Sequence, residues 1–427
     1  MAEQFIHDPA MPGLAIAMHP ALFEDALATA MRDASAGKWT ISSVERVRFR
    51  YRVGRRAVIQ LRVVVTGPSG ARRCEAAAWL HADPRQRRDP SMPEAQTHDE
   101  AHPLELVEPV TGARLALLPR DHRLPGLRHW LAKGDELPAG ADAPTSSTEL
   151  VRYRPGISAS LRVTRADGEQ CFVKLVPPAE LTDHAQRWRR FADGIRDREM
   201  RVPPLLRADP GDGSMTLACA DGHDLSAWLA GKGRAVPDDT IRIGLLEIAG
   251  IARRGLRLER EQTAHAMVAQ AHQAAELISA VHPGMAARTR ELVSSLRDSA
   301  PTFDSVPCHG DMKPDHLLFG EGCIWLLDVD QSCRCDRLLD LVMLETRVRD
   351  GLRLGAYRPD RARRLSAWLD DAMRSDSDRP PSKHTMQRRR WLRSWSALML
   401  ARHHAQTFSP DWEARLGNAL ALGECDD

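Results

Sequence analysis

The chain has 427 residues, of which 43% are apolar and 28% charged, a composition typical of a soluble globular protein with two or three domains. Its formal net charge of +2 argues against a dedicated nucleic-acid-binding protein. No apolar run approaches the roughly 18 residues of a membrane-spanning helix. The eight cysteines lack paired metal-ligand spacing, so we expect a protein of the reducing cytoplasm.

The first part of the chain, residues 1–145, is predicted to be an N-terminal α+β extension domain. Apolar residues from Leu22 to Met31 recur at helical spacing. Residues 82–103 are polar and contain prolines, which predicts a loop. Three strands precede this loop, at residues 47–51, 57–65 and 72–80.

A short pattern in this first part occurs again later in the chain. R-Y-R-V-G at residues 50–54 returns as R-Y-R-P-G at 152–156, and L-R-V at 61–63 returns at 161–163. Either a strand-turn-strand unit has been duplicated and one copy has degenerated, or two arginine-rich hairpins have converged. The sequence leaves both explanations open.

The next part, residues 146–220, is predicted to be β-rich. Residues 139–148 are rich in Ala, Gly, Ser, Thr and Pro, which indicates a linker. Strands are predicted at 150–154, 160–164, 170–175 and 215–220, with a helix at 179–194. Only six of the 60 basic residues are lysines, so Lys174, in the strand F-V-K-L-V, is more informative than an average lysine.

The last part, residues 221–427, is predicted to be mostly helical. Periodic apolar residues indicate helices at 226–231, 240–256, 263–281, 288–296, 360–373, 386–406 and 410–422.

Residues 308–330, which read C-H-G-D-M-K-P-D-H-L-L-F-G-E-G-C-I-W-L-L-D-V-D, interrupt this helical part. Apolar runs at 317–319 and 324–327, separated by two glycines, predict a β-hairpin. Asp311 precedes the hairpin and Asp328 follows it, so we expect both carboxylates in one cleft.

Two carboxylates in one cleft suit phosphoryl transfer. One accepts the proton of an attacking hydroxyl group, and another holds the magnesium ion that bridges the nucleotide phosphates. Asp311 fits the catalytic position and Asp328 the metal position. His316 lies where an additional metal ligand belongs, and Lys313 can place a point charge against the transferred phosphate.

This stretch, followed by D-R-L-L-D-L at residues 336–341, resembles the aminoglycoside phosphotransferase / choline kinase-like family. The resemblance implies an α+β, two-lobed protein-kinase-like fold, with a small β-rich lobe at 146–220 and a helical C-lobe at 221–427. The chain departs from the family pattern at His316, where the family has Asn. Magnesium prefers oxygen ligands, so this position bears on activity.

The resemblance also implies roles for residues outside this stretch. Lys174 is expected to pair with the α- and β-phosphates, and Asp340 to tie down the backbone of the catalytic loop. The turn after the first lobe strand covers the phosphates, and the connection between the lobes meets the adenine edge. These expectations give the cofactor-binding residues Gly156, Ile157, Ser158, Ala218 and Ala220.

The predicted function is transfer of the γ-phosphate of ATP (or GTP), with Mg²⁺, to a hydroxyl group of a sugar, aminoglycoside-like compound or amino-alcohol. No nucleic-acid or membrane partner is expected, and the oligomeric state stays open. Residues 337–427 hold 17 basic and 13 acidic residues, which argues weakly against a polycationic acceptor. The alternative is a pseudokinase, which binds nucleotide or a protein partner without catalysis.

Overall fold

The computed structural model describes residue 6 and residues 8–83, 105–131, 145–195, 199–232, 236–374, 382–407, 409 and 411–424. Two helices and a five-stranded sheet form the first part. They are α1 (Gly13–Met18), α2 (Pro20–Ala34), β1 (Thr40–Arg52), β2 (Arg56–Gly67), β3 (Gly70–His81), β4 (Glu105–Val107) and β5 (Arg114–Leu117). The predicted helix and three strands are confirmed. The loop predicted at 82–103 lies mostly outside the described residues.

The first sheet is antiparallel and has the strand order β1-β2-β3-β5-β4. Helix α2 packs against it and buries Phe23 and Leu27, which lie one turn apart on the same side of the helix. Along β2, Ile59 and Leu61 join that core, whereas Val58 points to the opposite face. Both faces of this sheet are therefore covered.

A second antiparallel sheet follows. Its part of the chain consists of α3 (Gly126–Leu131), β6 (Thr145–Arg154), β7 (Ser158–Arg165), β8 (Gln170–Leu175), α4 (Pro178–Ile195), β9 (Met200–Arg201), β10 (Leu205–Asp209) and β11 (Ser214–Ala218). The predicted linker at 139–148 is wrong in its second half, because Thr145 already pairs with Arg165 across the β6–β7 ladder. Threonine suits a paired strand as well as a linker, so composition alone misplaced this boundary.

The two sheets share one topology and pack against each other. The second sheet has the order β6-β7-β8-β11-β10, which repeats the order of the first sheet strand for strand. Val58 and Trp79 of the first sheet form one apolar cluster with Leu161 and Val173 of the second. The first unit is thus joined to the second through a buried apolar layer.

The remaining residues form the helical lobe with short strands inserted. Its elements are β12 (His223–Asp224), α5 (Leu225–Ala230), α6 (Asp238–Ile251), α7 (Ala264–Val281), α8 (Ala286–Asp298), β13 (Val306–Cys308), β14 (Leu317–Gly320), β15 (Cys323–Leu326), β16 (Cys333–Cys335), α9 (Leu339–Arg353), α10 (Pro359–Arg374), α11 (Lys383–Ala405) and α12 (Trp412–Glu424).

Helix α9 was not predicted from the sequence. It is buried on nearly all sides, with Leu341, Val342, Met343 and Leu344 in succession inside the core. A helix that is buried all round shows no apolar stripe, so its period is hidden. The other helices of this lobe and the hairpin were predicted to within about five residues, whereas α1 and α3 of the preceding parts were not predicted.

The predicted α+β architecture, with a small β-rich lobe and a helical lobe, is confirmed. The boundaries at residues 145 and 220 stay predictions. Within the described part of the chain, no helix combines the length and apolar character needed to cross a bilayer. The first unit also reaches the helical lobe, because the Phe49 N–H donates to the Gln406 carbonyl at 2.8 Å.

The hairpin turns of the two sheets are built from the same contacts. In the first, the Tyr51 hydroxyl and the Gly54 N–H donate to one Asp8 oxygen, at 2.7 and 2.9 Å. In the second, the Tyr153 hydroxyl and the Gly156 N–H donate to one oxygen of Asp121, at 3.0 and 2.6 Å. Both glycines have positive φ, at 64° and 62°. These shared contacts favour duplication over convergence.

The strand register shows what differs between the two units. Val58 pairs with Trp79 in the first sheet, and Ser160 pairs with Lys174 at the matching position of the second. A tryptophan therefore stands where the second unit has its lysine.

Candidate functional site

Lys174 lies on the face of β8 that looks toward the helical lobe. Cys171, Val173 and Leu175 alternate with it and are buried in the layer between the two sheets. Because successive side chains of a strand point to opposite faces, Lys174 must point away from that layer. The strand thus delivers one ammonium group into the cleft between the lobes.

Two carboxylates meet this ammonium. Lys174 Nζ donates to Asp328 Oδ1 at 2.6 Å and also to Asp330. Burial opposes the charged ammonium, but Asp330 and Asp328 outweigh it and raise the pKa of Lys174 above its ordinary value. Burial likewise opposes ionisation of Asp328, yet Lys174 and His316 hold the pKa of that carboxyl well below its usual range. Burial also opposes ionisation of Asp330, but Lys174 and His184 lower its pKa. Lys174, Asp328 and Asp330 are therefore all charged at neutral pH.

The helix after β8 contributes a histidine to this cluster. His184 Nδ1 of α4 lies 3.7 Å from Asp330 Oδ1. Glu180, one turn earlier, pairs with Arg123 at 2.9 Å instead of with the lysine. Helix α4 thus presents an imidazole to the Lys174 cluster.

Asp328 lies at the end of the β14–β15 hairpin in an uncommon backbone conformation. Its φ of 57° and ψ of 48° are left-handed, which is rare for a residue other than glycine or asparagine. The hairpin pairs Leu317 with Leu326, and the Leu327 N–H donates to the His316 carbonyl at 2.8 Å. The hairpin thereby carries His316 and Asp328 to the same place.

The loop that bears Asp311 is tied to this hairpin and to α9. Asp340, at the start of α9, accepts the N–H groups of His309 and Gly310 at 2.7 and 2.9 Å, which confirms the expected role of Asp340. His309 Nε2 donates to the Leu327 carbonyl at 2.8 Å. Gly310 has a φ of 81°, and a Cβ there would lie 2.3 Å from the Gln331 carbonyl oxygen. Glycine is therefore required at this position.

Asp311, His316 and Asp328 gather as the sequence predicted. One ligand atom from each lies within 4.8 Å of the other two. Burial first, then the nearby His309 and Lys313, lowers the pKa of His316 to about 4. The imidazole is therefore neutral at neutral pH, which is the form that binds cations. Two carboxylates and one neutral imidazole fit a divalent cation, although the nitrogen is a less usual ligand for magnesium than oxygen.

Lys313 lies beside Asp311. Its Nζ donates to Asp311 Oδ2 at 2.6 Å. The Lys313 ammonium is therefore positioned near any group that approaches Asp311.

The turn between β6 and β7 lies near the cluster, but two of its N–H groups have partners in the protein. The Gly156 N–H donates to Asp121, and the Ile157 N–H donates to the Arg154 carbonyl at 2.9 Å. Ser158 begins β7 opposite Arg154. The assignment of Gly156, Ile157 and Ser158 to phosphate binding therefore stays a prediction.

The connection between the lobes starts at the end of β11. Ala218 is the last residue of that strand, and its N–H donates to the Pro204 carbonyl at 2.9 Å. Ala220 lies two residues further along the connection and is partly exposed. Their predicted contact with the adenine edge stays a prediction.

Sequence reasoning missed several residues at the site. Asp330 stood in the quoted motif without a role, and His184 had no motif at all. Asp121 had a signal that was not used: the pattern D-x-x-[M/L]-P-G-L occurs at both Asp8 and Asp121, the two residues that brace the turns.

The site lies at the junction of the β-rich and helical lobes. There a lysine meets two carboxylates from the end of a strand and one carboxylate from a loop. Residues 149–375 match the family model described as the phosphotransferase enzyme family, which is more than half of the chain. The chain belongs to the phosphotransferase enzyme family. This membership confirms the resemblance drawn from the H-G-D and D-V-D motifs. Among curated proteins, none matches the sequence.

Several solved structures are similar to this member of the phosphotransferase enzyme family. A choline/ethanolamine kinase family protein from Mesorhizobium loti is 15% identical, with a TM-score of 0.45, over 67% of this chain and 88% of that one. A choline kinase from Streptococcus pneumoniae is 15% identical, with a TM-score of 0.46, over 66% and 94%. An aminoglycoside-3'-phosphotransferase of type VIII is 20% identical, with a TM-score of 0.42, over 58% and 93%.

Proposed function

We propose that this protein transfers the γ-phosphate of ATP, or of GTP, to a hydroxyl group of a small molecule. The observation that carries the proposal is the convergence of Asp311, His316 and Asp328 beside Lys174. Phosphoryl transfer requires a group that orients the attacking hydroxyl and positive charge around the phosphates. The site offers both within one cleft.

Each side chain has a proposed role. Asp311 accepts the proton of the acceptor hydroxyl, and Lys313 places its charge against the transferred phosphate. Lys174 binds the α- and β-phosphates, which compete with Asp328 and Asp330 for its ammonium. Asp328 and His316 would hold Mg²⁺, which when bound neutralises charge on the phosphate oxygens.

The alternative, a nucleotide-binding pseudokinase, rests on the imidazole of His316 in the position of an amide. We favour catalysis, because Asp311, His316 and Asp328 lie together beside Lys174, which supports their proposed roles. The Lys174 ammonium and the Asp311 carboxylate would have no shared purpose in a module that only binds nucleotide.

The test replaces the proposed base without changing its shape. Asp311→Asn is expected to lower kcat for acceptor phosphorylation by about 10²- to 10⁴-fold, because the amide cannot accept the proton. ATP affinity is expected to stay within about twofold. The measurement is ADP release and acceptor phosphorylation by the full chain, with Mg²⁺ and with a chelator.

Asp239→Asn is the matched control, because Asp239 is exposed on α6 and lies outside the cleft. It is expected to leave turnover unchanged. Full activity in Asp311→Asn, or turnover that persists without any divalent cation, would contradict the proposal. Tight nucleotide binding without turnover on any acceptor would support the pseudokinase.

A further inference from the structure

A cavity of about 910 Å³ opens beside the proposed base. Asp311 and Lys313 form part of its wall, whereas Lys174, His316 and Asp328 do not. The cavity therefore begins at the group that would receive the acceptor proton and extends away from the cation ligands. Its position and size are those of a site for a small acceptor molecule.

The wall of this cavity is strongly basic. It contains ten arginines and one lysine but only three aspartates. The chain as a whole is nearly balanced, with 60 basic and 58 acidic residues, so this concentration is local. The arginines are Arg48, Arg50, Arg52, Arg56, Arg123, Arg152, Arg154, Arg347, Arg402 and Arg415.

These arginines come from the first unit, the second unit and the helical lobe. Arg48 lies on β1 of the first sheet, and Arg152 lies on β6 of the second. Arg347 comes from α9 and Arg402 from the last turns of α11. Residues that are far apart in sequence thus converge on one cavity, and the first unit supplies a wall of it.

Within the described part of the chain, most of these guanidinium groups have no carboxylate partner. Arg123 and Arg415 form ion pairs, whereas Arg152, Arg347 and Arg402 make none with any described residue. Two of the three aspartates are already paired, because Asp311 contacts Lys313 at 2.6 Å and Asp350 contacts His404 at 3.1 Å. Among the described residues, most of the positive charge of the wall therefore has no compensating carboxylate.

The arginines also affect one another. Burial, together with the positive charges of Arg154, Arg152, Arg347 and Arg402, lowers the pKa of Arg48 to about 10. Like charges held together in a partly buried cavity destabilise the fold. A cluster that is unfavourable for the folded protein is a feature of binding sites.

We propose that the acceptor is a small organic anion that carries a free hydroxyl group and at least two negative charges on phosphate or carboxylate groups. The proposal rests on the proposed phosphotransferase function. The guanidinium fork binds both phosphate and carboxylate through two parallel hydrogen bonds, and several forks on one wall match several anionic groups. A cationic acceptor would be repelled by the same wall.

The reaction is balanced without a further reactant. The acceptor hydroxyl oxygen forms a bond to the γ-phosphorus of ATP, and the bond from that phosphorus to the β–γ bridging oxygen breaks. The hydroxyl proton passes to Asp311. The products are the phosphorylated anion and ADP, and the proton is released to water.

The decisive experiment measures binding to the full chain saturated with ADP and Mg²⁺, by calorimetry. The probes are fructose 1,6-bisphosphate for the phosphate arm, citrate for the carboxylate arm, fructose as a neutral molecule and kanamycin as a polycation. We expect at least one anion to bind more tightly than fructose and kanamycin. Tighter binding of fructose 1,6-bisphosphate would identify phosphate as the group that the wall recognises, and tighter binding of citrate would identify carboxylate.

Variants tie this binding to the cavity. Arg347→Ala combined with Arg402→Ala is expected to weaken anion binding by about tenfold or more, because each variant side chain loses its charge-assisted hydrogen bond to the anion. Arg363→Ala, an exposed residue of α10 outside the cavity, is the matched control and is expected to change nothing. Thermal unfolding verifies that the double variant is folded.

The outcomes separate this inference from the proposed function. Preferred binding of fructose or kanamycin, no binding of either anion, or anion binding unchanged in the double variant would overturn the anionic acceptor. Failure of ADP to bind, or full activity in Asp311→Asn, would instead contradict the phosphotransferase proposal. A repeat of the anion titration without ADP and Mg²⁺ keeps the test of the anionic acceptor independent of nucleotide binding.

Discussion

Asp340 is a buried carboxylate whose purpose is to hold backbone. It accepts the N–H groups of His309 and Gly310, which precede Asp311 in the catalytic loop. Burial raises the pKa of Asp340, opposed by His309 and by these two N–H groups. A buried acceptor with two backbone donors is costly to remove, because both donors are then left without a partner.

Asp340→Ala is expected to lower the free energy of unfolding by about 3 kcal/mol, since two buried N–H groups lose a charged acceptor. It is also expected to lower kcat, because the loop that positions Asp311 loosens. Urea unfolding and steady-state kinetics measure the two effects. Asp298→Ala, an exposed residue at the end of α8, is the control, and an equal loss of stability in both variants would contradict the assigned role.

At the scale of the element, the two hairpin turns are the same device used twice. Asp8 braces the β1–β2 turn and Asp121 braces the β6–β7 turn, each through a tyrosine hydroxyl and a glycine N–H. Only the second turn belongs to the sheet that carries Lys174. The duplication therefore provides an internal control for the function of the second turn.

Asp8→Ala and Asp121→Ala are each expected to lower stability by about 1–3 kcal/mol, since each leaves a buried hydroxyl and an N–H group unsatisfied. Only Asp121→Ala is expected to raise the KM for ATP, because its turn adjoins the proposed phosphate site. Steady-state kinetics at varied ATP concentration measure the KM of both variants. Equal KM values in the two variants would show that the turn does not contact nucleotide.

At the scale of the whole molecule, the first unit is a structural part of the small lobe. Trp79 stands at the register position of Lys174 and is buried in the apolar layer between the sheets. The second unit has Lys174 at the matching position, so in the first unit this position serves packing instead. The first unit therefore contributes arginines to the cavity and an apolar face to the second sheet.

Trp79→Ala is expected to lower the free energy of unfolding by about 3–5 kcal/mol, the usual range for removal of a buried large aromatic side chain. Trp79→Phe is expected to lose less, because most of the apolar volume remains. Urea unfolding measures both, with Leu206→Ala as the control, since Leu206 is 50% exposed. A loss below about 1 kcal/mol for Trp79→Ala would mean that the layer relaxes around the gap.

The sequence predicted the centre of the site because that centre is nearly contiguous. Asp311, His316 and Asp328 lie within 18 residues of each other around one hairpin, and local patterns describe hairpins well. The phosphate-binding role of Lys174 was predicted from the family resemblance and from the scarcity of lysine in the chain. The same reasoning predicted most helices of the helical lobe from their apolar stripes.

The remaining features depend on long-range packing, which a single sequence does not display. Helix α9 escaped detection because it has no exposed face. The basic cavity wall escaped because its arginines come from three separate parts of the chain, where each looks like an ordinary surface arginine. His184 and the Trp79 position became visible only through strand register and helix orientation.

The hydrogen bond between Phe49 and Gln406 has a consequence for nucleotide exchange. The small and helical lobes are linked at the covalent connection after β11 and again through β1 and Gln406, the residue that follows α11. A cleft with a single hinge opens by rotation about that hinge, but a second fastening restricts the rotation. If the cleft binds nucleotide as proposed, release of ADP would need local movement at the cleft rim or detachment of this second link.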